Sequence, residues 1–163
     1  MDHRSAETQN SSSPKIPGLY VHIPFCRTKC PYCSFYSISS PLEIPDFLDS
    51  LLREMEMVAS EWDCFDSVYI GGGTPSVLSP RQLEMILSTI RNHFPLLSET
   101  EITLEANPAD LDLSYLASLR EIGVTRLSLG IQSFEPKTLE FLGRRHSVQQ
   151  AISGIEISRR AGF

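Results

Sequence analysis

Four short segments, residues 18–24 (GLYVHIP), 66–71 (DSVYIG), 101–106 (EITLEA) and 125–131 (TRLSLGI), alternate apolar and polar residues at the two-residue period of a β-strand. Between them the apolar spacing becomes helical. Residues 45–61 carry Phe47, Leu48, Leu51, Leu52, Met55 and Val58 on one side, and 79–93 opens on Ser79-Pro80, a cap followed by a favoured first helical residue. A third helix over 112–121 groups Leu113, Leu116, Ala117 and Leu119 and stops at Gly123, and a fourth spans 147–161. Strand and helix in strict turn predict parallel strands joined by crossover helices, an α/β chain.

The alternation also indicates which α/β architecture. With Leu19, Val21 and Ile23 facing the helices, Tyr20 and His22 face away; Ile102 and Leu104 leave Thr103 and Glu105; Leu127, Leu129 and Ile131 leave Ser128 and Gln132. A sheet covered on both faces reads as continuous apolar strands, whereas a barrel-like sheet keeps polar residues on its inner face. The pattern favours a barrel or partial barrel, TIM-like in having its helices on one side of the sheet.

The chemically distinctive residues all follow strands. Cys26, Cys30 and Cys33 come after the first, Gly71-Gly72-Gly73-Thr74-Pro75 after the second, Glu105-Ala106-Asn107-Pro108 at the end of the third and Gln132-Ser133-Phe134 after the fourth. In βα barrels the site is built from the loops at that one end, so four distant segments converge on a single rim. A C-x3-C-x2-C loop supplies three thiolates to a cubane iron–sulfur cluster and leaves one iron open for a small ligand. Two other readings of the loop stand beside this one: a structural zinc on the three cysteines and His22, and a disulfide that strands one thiol. The glycine run brings backbone close to a ligand, or serves only as a tight turn; it lacks the G-K-[ST] ending of a phosphate-binding loop.

Composition narrows the function classes. A net charge of −6 with no clustered Lys or Arg argues against a nucleic-acid partner. Residues 1–17 are polar and Ser-rich, without the apolar core of a signal peptide, and are expected to form a disordered tail ahead of a domain over 18–163; the expected location is the cytoplasm. No apolar run approaches the length of a membrane-spanning helix. Cys64 reads as a small buried hydrophobe, His22 as a core or supporting histidine, and His93 and His146 as surface residues beside helix ends.

In order along the chain, YVHIPFCRTKCPYCSF, GGGTP, LEANP, RLSLGIQSF and LGRRH resemble the radical S-adenosylmethionine (SAM) proteins of the oxygen-independent coproporphyrinogen III oxidase group. Phe35 stands where the oxidases of that group carry a further cysteine, which resembles the haem-chaperone branch. The resemblance implies a (β/α)6 radical SAM barrel. Its cofactors would be a [4Fe–4S] cluster on Cys26, Cys30 and Cys33 and a SAM molecule on the open iron, cleaved by an incoming electron to methionine and a 5′-deoxyadenosyl radical. Tyr20, Gly72 and Glu105 match positions that contact the cluster-bound SAM; Tyr32, Gly73, Thr74, Gln132 and Arg144 match a second SAM site in the oxidases. Arg145 is an alternative carboxylate clamp to Arg144.

The implied partners are SAM, haem or a porphyrin, a reducing electron donor and a haem-acceptor protein. Haem transfer to that acceptor is the first expectation, decarboxylation of coproporphyrinogen propionates the alternative, and a zinc-stabilised domain the third. Because Gly162 should lead into a fifth strand, the chain is expected to be an N-terminal piece of a longer barrel.

Overall fold

The computed structural model describes residues 16–59 and 62–163. Four strands, β1 (Gly18–Ile23), β2 (Phe65–Gly72), β3 (Leu96–Ala106) and β4 (Arg126–Leu129), form one parallel sheet in the order β1-β2-β3-β4. Each strand pairs with its successor in sequence, so the winding never reverses, as a barrel requires and a doubly wound sheet does not. The intervening helices are α1 (Ile44–Val58), α2 (Pro80–His93), α3 (Leu113–Glu121), α4 (Pro136–Phe141) and α5 (Val148–Arg160).

The core lies between sheet and helices. Val21 and Ile23, Val68 and Ile70, and Ile102 and Leu104 bury their side chains, as do Leu48 and Met55 of α1, Leu83, Ile86, Leu87 and Ile90 of α2, and Leu116 and Leu119 of α3. Period-two strands meet period-3.6 helices along one apolar layer. The opposite face carries the other parity. Tyr20 pairs in register with Tyr69, Tyr69 with Thr103, and Thr103 with Arg126, while Glu105 pairs with Ser128 one step nearer the C-terminal rim.

The caps follow the sequence closely. Ser79 and Gln82 form a reciprocal capping box at α2, with Pro80 at the first turn, and Ser147 and Gln150 repeat it at α5. Gly123 closes α3 with a φ of +91°, a conformation side chains resist. Several boundaries differ from the expectation. β3 starts at Leu96, five residues early, because Phe65 pairs with Leu96 across an irregularity that the alternation from residue 101 does not reveal. β4 ends at Leu129, so Ile131 and Gln132 belong to the loop. α4 was not expected: six residues are too few to show a period, though Glu135 caps it by accepting from Thr138 N. The expected tail lies almost wholly outside the described residues, as do two residues at the expected end of α1.

Candidate functional site

At the C-terminal ends of the strands the four loops enclose a cavity of about 320 Å³. Its wall contains Cys26, Cys30, Cys33, Tyr32, Gly72, Gly73, Thr74, Glu105, Gln132 and Arg144. Of the site residues expected from sequence, only Tyr20 is absent from that wall. It sits lower on the inner face, its Oη 3.0 Å from His22 Nδ1 and its ring stacked on Tyr69 at 6.1 Å.

The cysteine loop is anchored at its base. Cys26 N donates to Ile38 O (3.0 Å) and Ile38 N to Pro24 O (2.7 Å), bringing the ends of the loop together. Phe25 is buried edge-on against Phe47 of α1, which turns the next residue, Cys26, toward the cavity. The glycine run completes the anchor: Gly73 N donates to Ile23 O (2.8 Å) and Thr74 N to Phe25 O (2.7 Å). A Cβ on Gly73 would come within 2.6 Å of Phe25 O, so the missing side chain makes room for the neighbouring chain. Gly72 has a φ of +113°, and a Cβ there would strike the His22 ring. The glycines therefore have a structural duty that the sequence alone does not distinguish from ligand approach.

Two donors reach the thiols from other segments. Thr74 Oγ1 lies 3.5 Å from Cys26 Sγ, and Arg144 Nη1 lies 3.3 Å from Cys30 Sγ and 3.4 Å from Tyr32 Oη. Arg144 also donates to Gly130 O. On the same cavity wall, Glu105 is fixed at both oxygens, accepting from Tyr69 Oη (2.7 Å) and from Gly72 N (3.0 Å). Burial, and next the Glu105 charge, hold the Tyr20 phenol above its ordinary pKa. Burial likewise raises Tyr69, which stays a neutral donor to the carboxylate. Burial raises Tyr32 too, against the opposing pull of Arg144.

All four cysteines are free thiols, which removes the disulfide reading. Among the described residues no three His, Cys, Asp or Glu side chains converge on one point, as a single tetrahedral metal ion would require. His22 is turned to Tyr20 and Gly72 instead. Three separate thiols on one cavity wall, with hydrogen-bond donors beside two of them, fit a cluster in which each ligated iron takes its own sulfur.

Other sequence expectations are corrected. His146 is not a surface residue. It is 2% exposed, with Nε2 3.0 Å from Ile131 O, because the LGRRH turn brings it against the loop that follows β4. Burial lowers its pKa, and the neighbouring Arg144 and Arg145 charges act in the same direction. Cys64 is half-buried, its Sγ beside the Phe65 carbonyl. Arg145 is no substitute for Arg144, since it is bound to Asp110. Tyr69 and Asp110 were missed. Tyr69 was legible, because it shares the inward parity of Tyr20; nothing in ANPAD marks Asp110 as buried. Gln132 adopts a φ of +64° at the rim, backbone strain of the kind that clusters at sites.

A profile of the radical SAM superfamily matches residues 20–163, and the chain belongs to that superfamily. The family's cofactors are a [4Fe–4S] cluster and SAM, used with a reductant. Among curated proteins the chain is 36% identical to the haem chaperone HemW of Escherichia coli K12 over 91% of its own length and 41% of the relative's. It is 39% identical to the HemW of Mycobacterium tuberculosis H37Rv over 90% of its length and 39% of the relative's. Among solved structures, the E. coli coproporphyrinogen III oxidase HemN superposes with a TM-score of 0.83 at 30% identity, covering 92% of this chain and 36% of that one. The four βα units are thus part of a radical SAM TIM-like barrel, and the chain spans about 40% of the length of the curated relatives it matches. No helix among the described residues is long and apolar enough to cross a membrane.

Proposed function

We propose that this chain carries the cofactor site of a HemW-type haem chaperone, a cytoplasmic protein that hands haem to an acceptor. The observation that carries the reading is the 36–39% identity to HemW proteins over about nine-tenths of the chain. Phe35 supports it, since an exposed aromatic lines the cavity at the position where the resembling oxidases have a further cysteine. The superposition on HemN supports a second reading, an oxidase that decarboxylates porphyrinogen propionates.

Under either reading Cys26, Cys30 and Cys33 hold the cluster. Bound there, the cluster and SAM supply reductive radical chemistry. Glu105, Gly72 and Tyr20 are assigned to the first SAM: a carboxylate fixed by Tyr69 and Gly72 N opposes the ammonium and sulfonium of the ligand with little reorganisation. Arg144, Gln132, Tyr32, Gly73 and Thr74 are assigned to a second SAM. A cation at Arg144, beside Cys30, suits a carboxylate. Haem titration of the full-length protein, set against a decarboxylation assay under reducing conditions, tests the choice. Stoichiometric haem uptake without vinyl products supports the chaperone; turnover of coproporphyrinogen replaces it with the oxidase.

A further inference from the structure

Four rim segments meet at one carboxylate outside the cavity wall. Asp110, in the turn after β3, has a side chain only 3% exposed. Its Oδ1 and Oδ2 accept from Arg145 Nη2 at 2.8 and 3.0 Å. Oδ1 also accepts from Arg27 Nε (3.2 Å), and Oδ2 from Ser76 Oγ (2.9 Å). Ser76 Oγ in turn accepts from Asn107 N (3.0 Å).

The sequence neighbours of these donors are site residues. Arg27 directly follows Cys26, Ser76 lies two residues beyond Thr74, and Arg145 directly follows Arg144. With Arg145 held by Asp110, Arg144 is directed to the other side, where it reaches Cys30 Sγ and Gly130 O. A buried carboxylate has given up its hydration and is compensated by the groups that donate to it, so each arm is held in its docked position.

We propose that Asp110 is a positioning residue: it clamps the cysteine loop, through Arg27, to the LGRRH turn, through Arg145, and so sets how the thiols and Arg144 face one another. The proposal rests on reading the cavity as the cofactor site, but the clamp itself acts with or without a cofactor. Asp110→Asn removes the charge that holds both arginines and keeps the side chain's shape. Arg27→Met removes only the arm to the cysteine loop and keeps Asp110 paired with Arg145.

The test is hydrogen exchange by mass spectrometry on parent, Asp110→Asn and Arg27→Met, metal-free and after anaerobic reconstitution, with EPR of the reduced cluster with and without SAM. For Asp110→Asn, exchange over 24–38 and 143–146 should rise on the order of tenfold while the β2–β3 core stays protected. Its EPR line shape and SAM-induced change should differ from the parent's at equal iron content. Arg27→Met should loosen 24–38 and leave 143–146 unchanged. Parent-like exchange and spectra in Asp110→Asn, or a lowered thermal midpoint alone, overturn the proposal. If Asp110→Asn does not fold, parent-like exchange over 24–38 in Arg27→Met overturns it. If the parent itself takes up no cluster, the cofactor reading fails, and exchange in the metal-free proteins still decides for or against the clamp.

Discussion

Replacing Gly73 with Ala tests whether the glycine run holds the cysteine loop in place. The added Cβ would meet Phe25 O at 2.6 Å and Ile23 O at 2.9 Å, both backbone atoms with no rotamer to escape into. Moving them apart lengthens two hydrogen bonds, Gly73 N to Ile23 O and Thr74 N to Phe25 O. Each contributes about 0.5–1.5 kcal/mol, and overpacking against a fixed wall costs about 1–3 kcal/mol. With the bonds stretched and not wholly lost, Gly73→Ala should destabilise by about 2–4 kcal/mol. At a urea m-value of about 2 kcal/mol per molar the unfolding midpoint falls by about 1–2 M with the slope unchanged. Gly18→Ala is the matched control. Its Cβ meets only Ser67 Oγ, at 2.7 Å, the rotatable end of a surface side chain, so its midpoint should stay within about 0.3 M of the parent. Equal midpoints for the two variants would show that the close approach of the two loops has no energetic consequence.

Cys30→Ala should abolish the brown chromophore after reconstitution while Cys64→Ala leaves it, read by iron content and absorption; equal loss in both would sink the ligand assignment. Tyr69→Phe frees one oxygen of Glu105 and removes a bond to a charged acceptor of about 1.5–3 kcal/mol, so SAM affinity should fall about tenfold with iron content unchanged; unchanged affinity by titration would remove Glu105 from the SAM site. His146 is buried with a lowered pKa, so the unfolded chain takes up its proton first. Stability is then held above the unfolded value of about 6.5 and declines as pH drops below it, by at most about 1.4 kcal/mol per pH unit. His146→Gln should flatten that slope in urea titrations at stepped pH, and a slope equal to the parent's would contradict the assignment.

How far the sequence could be read depended on whether a residue's environment was local. Alternation in Tyr20, Val21, His22 and Ile23 reports directly on two faces of a strand, so the sheet's inner and outer sides were legible, and with them the rim where Cys26, Gly72, Glu105 and Gln132 gather. Helix α2 was legible from its opening Ser79-Pro80, since Ser79 caps it through Gln82 three residues on; the matching box of Ser147 and Gln150 at α5 went unread, although it is equally local. The burial of His146 and Asp110 was not, since it comes from segments far apart in the chain: Ile131 accepts from one, and Arg27, Ser76 and Arg145 close over the other. Gly72 and Gly73 stand between these cases. Their absence of side chains was evident, yet only the fold shows that His22 and Phe25 occupy the space.

The proposed cofactor site has Cys26, Cys30 and Cys33 presenting a cubane cluster to SAM in the cavity that Glu105 also lines. Anaerobic reconstitution with iron and sulfide, followed by iron counting and EPR of the reduced protein with and without SAM, tests it most directly. The expected result is about four irons per chain and a spectrum that changes when SAM is added. Tight binding of a single zinc with no cluster, or a cluster whose spectrum is indifferent to SAM, would contradict it.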